Sequence, residues 1–376
     1  METLAYTRKF IPVFKMDYSY RFQFLSMEEL EKMNYPDTFP SSSAMWMNNW
    51  LSVFKEVENN VIGYRKKPYI IGVYQGKELV AIVPLIKLQR IYFKYIRIEF
   101  LEFLGQQWSS LGNDIIVLKE LEPSFALELI RWIKKNIKFH FLFLKYLQKN
   151  TVFANQLRLF HYTGTAFIKV DSYNNYNDFS ENVYSRKFRE DLRRTVRRMN
   201  GNGFEMTTSI EEITAGSLRD IREIAKSKLI DGKSFLYENA QKEQFHLQMY
   251  KSFKSQVVFV KLNDLPVAYG TSIDWNGERI GIDAAFDREY RKFGAGIHCI
   301  DEIIKSSFAD KIQKMSFGMG LDTYKFQFTN KVENYYMCFD FKFRLKSLLV
   351  LPYFFYKLKK SDRIVAEILD GVIKNE

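Results

Sequence analysis

Hydrophobic and polar positions repeat a similar order in two parts of the chain. In each part, two runs of β-forming residues flank a Gly or Asn/Asp turn, at 73–81 and at 260–268, which predicts a β-hairpin in both. A strand, a helix and another strand are expected after each hairpin. We expect them at 114–118, 123–136 and 139–144 in the first part, and at 279–286, 297–308 and 314–317 in the second. The repeat favours two copies of one α/β domain, with chance similarity of two hairpins as the alternative.

The junction between strand and helix differs between the two copies. In the second copy it contains Arg291-Lys292-Phe293-Gly294-Ala295-Gly296. Glycines let backbone N–H groups face an anion, and the first turn of a helix attracts phosphate. The first copy has Lys119-Glu120-Leu121-Glu122-Pro123, whose two acids would repel phosphate. The pattern therefore predicts a pyrophosphate site in the second copy only, with a simple tight turn as the alternative.

Composition restricts the class of protein. The chain of 376 residues suits two domains, and 47% hydrophobic with 27% charged residues indicates a folded protein. The first residues lack the apolar run of a signal peptide, and the uncharged run 348–356 is too short to span a membrane. Two cysteines and four histidines show no metal-ligand spacing, so no metal is expected. We therefore expect a cytoplasmic protein, and the net charge of +12 predicts anionic partners.

The end of the chain combines alternation with an aromatic and basic segment. Residues 334–346 alternate apolar and polar side chains, which predicts a final strand with one wet face. Residues 348–360, LLVLPYFFYKLKK, carry no acid, and the first acid that follows them is Asp362. This composition suits a peripheral contact with the inner face of the cytoplasmic membrane. Docking of the tail on the first domain is the other interpretation.

Motifs around the glycine junction indicate a family. Arg291-x-x-Gly294-x-Gly296 matches the pyrophosphate loop of the GNAT superfamily of acyltransferases. Phe286-Asp287-Arg288-Glu289-Tyr290 and the segment from Phe317-Gly318 to Tyr324-Lys325 resemble segments of its double-domain branch. That branch contains CelD-type acetyltransferases of cellulose biosynthesis and Fem peptidyl transferases. Many of its members have Ser-Pro-Gly where this chain has Gly294-Ala295-Gly296, which is closer to the ordinary GNAT loop.

Two further segments extend the resemblance to roughly residues 40–330. Ser43-x-x-Trp46-x-x-x-Trp50 resembles the Trp-containing helix of the branch, and the arginine-rich stretch from Ser185 resembles its basic helix. The resemblance implies an α/β (α+β) fold of tandem duplicated GNAT-like domains, each a mixed, mostly antiparallel sheet flanked by helices. The expected boundaries are 1–168, 169–346 and a tail at 347–376, with the acyl-CoA site in the second domain.

The resemblance also implies roles for individual residues. The pantetheine arm of the donor would lie in a wedge between the strands at 279–286 and 314–317. The predicted cofactor-binding residues are Arg291, Phe293, Gly294, Ala295, Gly296, Ile297 and Lys325. Asp283 is the first candidate base, Asp322 a second candidate base or a helix N-cap, and Tyr324 the candidate proton donor to the thiolate. For each of them a purely structural role is the alternative.

A basic helix is predicted before the second hairpin, ending at Asn200-Gly201. Phe188, Leu192, Val196 and Met199 form an apolar stripe. The adjacent basic stripe contains Arg186, Arg189, Arg193 and Arg197. We expect this stripe to bind a phosphorylated or acidic acceptor, or the phosphates of coenzyme A, with ordinary solvated charge as the alternative.

These expectations define a leading function. The chain is expected to be an acyltransferase, using acetyl-CoA or another acyl-CoA, that acts on an amino or hydroxyl group of a sugar, a nucleotide sugar or an envelope or polysaccharide precursor. A Fem-like transferase using aminoacyl-tRNA and a non-catalytic subunit of a polysaccharide or lipid assembly are the alternatives. Apart from tRNA, no nucleic-acid partner is expected, because the sequence has no helix-turn-helix or finger pattern.

Overall fold

The computed structural model of the chain describes residues 19–33, 35, 39–107, 111–154 and 156–373. Residues 1–18, on which most of the expectation of no signal peptide rests, lie outside the described residues. The strands of the first half are β1 (Arg21–Leu25), β2 (Tyr64–Gln75), β3 (Glu78–Tyr92), β4 (Ile96–Phe103), β5 (Ile116–Val117), β6 (Phe141–Leu147) and β7 (Leu159–Lys169). Those of the second half are β8 (Met206–Glu211), β9 (Lys254–Leu262), β10 (Leu265–Trp275), β11 (Glu278–Phe286), β12 (Lys314–Ser316) and β13 (Val332–Phe341).

The helices cover both sides of these strands. They are α1 (Met27–Lys32), α2 (Ala44–Phe54), α3 (Phe125–Asn136), α4 (Tyr176–Val183), α5 (Arg186–Gly201), α6 (Ala215–Lys226), α7 (Ala240–Ser252), α8 (Ala295–Ala309) and α9 (Leu345–Ile373). Polar N-caps start several of them: Ser185, for example, accepts a hydrogen bond from the N–H of Phe188 at the start of α5. Short 3-10 turns at Ser227–Asp231, Arg288–Phe293 and Thr323–Gln327 lie near the site described below.

All the described strands belong to one continuous sheet. Its order is β1-β2-β3-β4-β6-β13-β7-β12-β11-β10-β9-β8, and β5 pairs with β3 beside this path. Neighbouring strands are antiparallel except for two parallel pairs, β4 with β6 and β11 with β12. The mixed, mostly antiparallel sheet flanked by helices confirms the expected fold class.

The two halves repeat one arrangement, as the sequence predicts. The order hairpin, strand, helix, parallel strand occurs as β2, β3, β4, α3 and β6, and again as β9, β10, β11, α8 and β12. One detail of the predicted match was wrong. The strand equivalent to β11 is β4 (Ile96–Phe103), because β4 pairs in parallel with β6, whereas the segment 114–118 supplies only the two-residue strand β5 on β3.

The two halves share strands and are not separate along the sheet. Strand β13, which follows the second copy in sequence, lies between β6 and β7 of the first half. Strand β7 in turn pairs with β12 of the second half. The domain boundaries at residues 168 and 346 stay predictions. Hydrogen bonding instead joins both copies into one sheet, so a cut at residue 168 would separate paired strands.

The Trp-containing helix α2 packs on α7 of the second half. The Trp46 and Phe245 rings are perpendicular with centroids 5.0 Å apart, and the Phe54 ring lies 5.4 Å from Phe245. Side chains at the edge of the contact also bond, since Asn49 Nδ2 donates to Ser252 Oγ at 2.9 Å. This contact closes one side of a cavity between the halves.

Candidate active site

A wedge opens between β11 and β12. These strands pair over three residues only, and Ile280 opposite Ser316 is the last pair. On its other edge, β11 bulges at Ile282, because Thr271 faces Asp283 and Ser272 faces Gly281. A bulge increases local twist and bends the strand away from its neighbour. Beyond the last pair, the chain turns at Gly318 with a φ of +74°, where a Cβ atom would lie 2.4 Å from the carbonyl oxygen of Gly281.

The predicted phosphate turn lies at one end of this wedge. After β11, a 3-10 turn leads to Gly294, whose φ of 69° and ψ of 23° are left-handed, and α8 begins at Ala295. The N–H of Ile297 donates to the Gly294 carbonyl at 3.0 Å. In the described part of the chain, the N–H groups of Ala295 and Gly296 bond to no other residue. These two N–H groups, and not those of Phe293 and Ile297, are therefore available to an anion.

A basic cavity of about 470 Å³ lies beside this turn. Lys228, Lys233 and Arg288 contribute to its wall, together with Gly294, Gly296 and Tyr324. Cations around two open N–H groups favour an anionic ligand. The side chain of Phe293 takes no part, because its ring is buried in the core.

Arg291 contacts a carboxylate at the rim of the cavity. Its Nη2 atom lies 2.7 Å from both carboxylate oxygens of Asp231, and Arg288 Nε lies 2.8 Å from the same carboxylate. The hydrogen bond from Arg291 is the main cause that lowers the pKa of Asp231. Any contact of Arg291 with a phosphate would compete with this pair, so its predicted role stays a prediction.

Asp283 faces the wedge and is held from several sides. The Tyr269 hydroxyl on β10 donates to Asp283 Oδ2, and Lys228 Nζ lies 3.6 Å from Oδ1. The Thr271 hydroxyl lies 3.2 Å from both the backbone N–H and the carbonyl of Asp283. These contacts fix the carboxylate in one orientation. The sequence places Asp283 on β11 but does not reveal Tyr269, Thr271 or Lys228 as its partners.

A chain of hydroxyl groups continues from this point into α7. The Tyr250 hydroxyl lies 2.9 Å from Thr271 Oγ1, and the Tyr237 hydroxyl lies 3.4 Å from that of Tyr250. Burial is the largest cause that raises the pKa of both phenols, so they remain neutral donors. In the sequence, these contacts are indicated only by the polar Tyr269 and Thr271 within the apolar run of β10.

Tyr324 lies where the wedge meets the basic cavity. It sits in the 3-10 turn Thr323–Gln327, and burial, aided by the charges of Asp322 and Asp283, raises its pKa to about 12. Its hydroxyl makes no hydrogen bond with other described residues and is available to a bound molecule. Asp322 caps this turn through its backbone position, with its side chain 66% exposed.

Lys325 bonds to backbone carbonyls of its own loop, where the sequence predicted a contact with phosphate. Its side chain is only 2% exposed. The ammonium donates to the carbonyls of Gly318, Met319 and Gly320 at 2.9, 3.2 and 2.9 Å. Because all three N–H donors are used within its own loop, the lysine holds the turn after β12 and has no N–H left for a phosphate.

The basic helix α5 lies against the phosphate turn. Arg198 Nη1 donates to the Lys292 carbonyl at 2.8 Å, and a Cβ atom on Gly294 would lie 3.4 Å from the Thr195 methyl group. Arg186 and Arg193 are exposed, and Arg197 is exposed beside Glu190. Arg189 was wrongly assigned to the basic stripe that is expected to bind an anion. Its Nη1 donates to carbonyls at the end of α4, including Ser180 at 3.0 Å, so it caps that helix.

A second cavity of about 340 Å³ lies between the halves. The first half contributes Trp46 and Leu111 to its wall, and α7 contributes Lys242 and His246. His246 Nδ1 is 2.8 Å from the Lys242 carbonyl, and burial lowers the pKa of its imidazole. The two cavities share Ala284, Ile300, Asp322 and Tyr324. The two cavities therefore adjoin at these side chains, one on the side of the glycine turn and the other between the halves.

Comparison with known proteins agrees with this geometry. Residues 186–326, which hold the glycine turn and Tyr324, match the family model described as the acetyltransferase (GNAT) domain. The second half contains a GNAT acetyltransferase domain. The protein is an acyltransferase of this type, and the domain implies acyl-CoA as donor. The family match ends one residue after Lys325 and leaves the first half outside it.

Solved structures show the same fold over most of the chain. The crystal structure of FemX is 11% identical, with a TM-score of 0.56, and the match covers 88% of this chain and 99% of that one. A conserved protein of unknown function from Bacteroides thetaiotaomicron VPI-5482 is 11% identical, with a TM-score of 0.50, covering 85% and 99%. No curated protein matches the sequence.

The described residues contain neither a candidate metal site nor a candidate membrane span. Their His, Cys, Asp and Glu side chains form no group of three or more that could hold a metal ion. None of the helices in the described ranges is both long and apolar enough to cross a membrane.

Proposed function

We propose that the protein transfers an acyl group, an acetyl group in the first instance, from acyl-CoA to an amine or hydroxyl of an anionic sugar, nucleotide sugar or envelope precursor. The observation that carries this proposal is the junction of the two cavities at Tyr324. A donor held at the glycine turn and an acceptor held between the halves would meet there. The donor and the GNAT domain fit a cytoplasmic enzyme.

The basic cavity beside the glycine turn supports the assignment of a pyrophosphate site. The N–H groups of Ala295 and Gly296 would bind phosphate oxygens, and Lys228, Lys233 and Arg288 would neutralise their charge. The pantetheine arm would enter the wedge where β11 separates from β12. Strand edges without partners in the wedge can hydrogen-bond an extended amide chain.

The chemistry requires a base and an acid. In the proposed reaction, the Asp283 carboxylate accepts a proton from the acceptor amine or hydroxyl, and the freed lone pair attacks the thioester carbonyl. When the tetrahedral adduct collapses, the carbon–sulfur bond breaks and the thiolate accepts a proton from Tyr324. With a pKa of about 12, this phenol is protonated at neutral pH. Asp322 is the second candidate base, but its exposed side chain is less well fixed.

The cavity between the halves supports a polar and anionic acceptor. Lys242 and His246 line this cavity together with Asp283 and Tyr324. The ring of Trp46 forms part of the wall from the first half. Sugars combine hydroxyl groups with apolar faces, so a cavity lined by both polar groups and an aromatic ring suits them.

Calorimetric titration of the full chain with acetyl-CoA tests the donor. We expect Gly294→Val to abolish binding, because a branched side chain at a left-handed φ displaces the N–H groups that follow. Gly76→Val is the matched control, since Gly76 has a φ of +61° in the turn between β2 and β3, away from the site. If acetyl-CoA and longer acyl-CoAs all fail to bind the unaltered chain, the proposed donor is wrong.

Release of free thiol in the presence of a panel of amino and hydroxyl sugars tests the transfer. Turnover that appears only with an acceptor supports the proposed acceptor class. Binding of acetyl-CoA without turnover on any acceptor would favour the alternative of a non-catalytic subunit.

The basic helix favours a second candidate, a Fem-like transferase that uses aminoacyl-tRNA. Exposed Arg186, Arg193 and Arg197 extend from the donor turn, to which Arg198 is bonded through the Lys292 carbonyl. Such a surface suits a phosphate backbone. Filter binding with charged and uncharged tRNA separates the candidates. Salt-sensitive tRNA binding that Arg193→Glu abolishes, together with no affinity for acyl-CoA, would support this second function.

A further inference from the structure

The C-terminal helix α9 docks on the first half by one face only. Its inner face consists of buried residues at helical spacing, including Val350, Phe354, Leu358 and Val365. The Phe354 ring lies 4.8 Å from Phe141 and 5.6 Å from Phe100, between centroids. The predicted docking of the tail on the first domain is therefore observed. This face anchors the helix and leaves the opposite face to solvent.

The outer face of α9 begins with exposed apolar side chains. Over its first three turns, exposed leucine and aromatic residues outnumber polar ones, and Tyr356 is 63% exposed. The exposed apolar residues of this face are Leu345, Leu348, Leu349, Tyr353, Phe355 and Tyr356. Single exposed apolar residues are common, but a contiguous set indicates an interaction surface.

The turn between β3 and β4 extends this surface from a distant part of the sequence. Phe93 and Tyr95 at its tip are 61% and 86% exposed, and the Phe93 ring lies 6.0 Å from Tyr353 of α9. Phe93 and Lys94, in this three-residue turn, have φ values of 49° and 67°. Asn and Gly occupy such positions without strain, whereas a bulky residue at positive φ is unfavourable. Stability therefore does not explain this aromatic tip.

Up to residue 361, this surface carries positive charge and no acid, and further along α9 exposed Glu367 pairs with Arg363. The segments 91–98 and 341–361 contain no Asp or Glu. Beyond the apolar turns, the outer face of α9 continues with exposed Lys357, Lys359 and Lys360, and the hairpin tip adds Lys94 and Arg97. Aromatic side chains next to lysines match the boundary between acyl chains and anionic headgroups.

We infer that the aromatic-basic surface, formed by the outer face of α9 and the β3–β4 turn, binds an anionic phospholipid bilayer. The helix would lie in the plane of the interface, consistent with its docked inner face. A second copy of the chain is disfavoured as the occupant, because the lysines of the two surfaces would face one another. This inference is independent of the acyl donor and of the acceptor.

Sedimentation of the full chain with vesicles tests the inference. We expect binding to vesicles containing phosphatidylglycerol and little binding to vesicles of phosphatidylcholine alone. The double variant Lys359→Glu, Lys360→Glu should lower the affinity by at least about fivefold for each lysine. The double variant Tyr95→Ser, Tyr356→Ser should also weaken binding, including at high salt, where the electrostatic contribution is screened.

Control variants test whether vesicle binding depends on this surface or on any exposed apolar or charged residue. Leu265→Ser changes an exposed apolar residue beside the β9–β10 turn of the second half, and Lys251→Glu reverses an exposed charge on α7. Both should bind vesicles like the unaltered chain, and melting temperatures will verify that all variants fold. No binding to phosphatidylglycerol vesicles, or equal losses in the control variants, would overturn the inference. A dimer in gel filtration that Tyr356→Ser dissociates, without vesicle binding, would instead assign the surface to a second copy.

Discussion

The Thr195 hydroxyl on α5 lies 2.6 Å from Nε2 of His298 in the first turns of α8. This hydrogen bond joins the basic helix to the helix that begins at the phosphate turn. Burial lowers the pKa of His298, so its imidazole is neutral at pH 7 and shares the bond as a neutral group. The relative position of the two helices therefore depends on a contact between residues 103 positions apart in sequence.

Removing this bond should loosen the donor turn. We expect Thr195→Val, which keeps the shape of the side chain, to lower the free energy of unfolding by about 1 kcal/mol and to weaken binding of acetyl-CoA. Thr207→Val on the exposed face of β8 is the control and should change neither quantity. Chemical denaturation and calorimetric titration measure the two effects. Unchanged donor affinity in Thr195→Val would contradict the proposed coupling.

Asp283→Asn should abolish most turnover without removing the fold. The amide keeps an acceptor oxygen for the Tyr269 hydroxyl but cannot accept the substrate proton. We expect kcat to fall by about 10²–10⁴-fold, with the dissociation constant of acetyl-CoA unchanged. Asp322→Asn is the comparison and should retain most of the activity. A larger loss of kcat in Asp322→Asn than in Asp283→Asn would exchange the roles of the two carboxylates.

Tyr324→Phe should slow the step in which the thiolate leaves. The expected loss of kcat is about 10²-fold or more with acetyl-CoA, and a donor whose thiol is more acidic should restore part of it. Because burial raises the pKa of Tyr324 to about 12, the neutral phenol persists through moderately alkaline pH. Its ionisation should therefore cause no loss of activity up to about pH 10. An equal loss with every donor would point to a packing role.

The buried pair of Arg90 and Glu102 predicts how stability depends on acid. Arg90 bonds both carboxylate oxygens, at 2.5 and 3.1 Å. Burial alone would raise the pKa of Glu102, but the charges of Arg90 and Lys145 outweigh it and hold this pKa at about 2. A lowered pKa means that the stabilisation is complete above the usual pKa of about 4.5 and is lost as the pH falls towards about 2.

Glu102→Gln measures this contribution. At neutral pH the variant leaves a buried guanidinium without its counter-charge, so we expect a loss of about 3–5 kcal/mol. The difference from the unaltered chain should shrink as the pH falls from about 4.5 towards about 2, where Glu102 becomes neutral in the folded chain as well. Glu78→Gln removes the exposed pair with Lys119 and should cost less than about 1 kcal/mol. Thermal unfolding across pH provides the comparison.

Local patterns in the sequence predicted much of the fold and part of the site. The turns of the two hairpins, the end of helix α5 at Gly201 and the glycine turn before α8 all lie within two residues of their predicted positions, although the strands of the hairpins are longer than predicted. Asp283 and Tyr324 are brought to the cavity walls as the motifs implied. Partners were not predictable, because Lys325, Arg189 and Arg291 each bond to groups that the arginine and lysine pattern does not mark.

The sequence by itself determined most of the elements that form and where the glycine turn lies, and it predicts a phosphate site in the second copy only. These properties follow from side-chain periodicity and from the freedom of glycine, which act over a few residues. Only the tertiary structure decided that β13 lies between β6 and β7, that Tyr250 reaches Thr271 and that Phe93 meets Tyr353. Such contacts join segments far apart in the chain, and their free energy depends on packing and burial that no local pattern records.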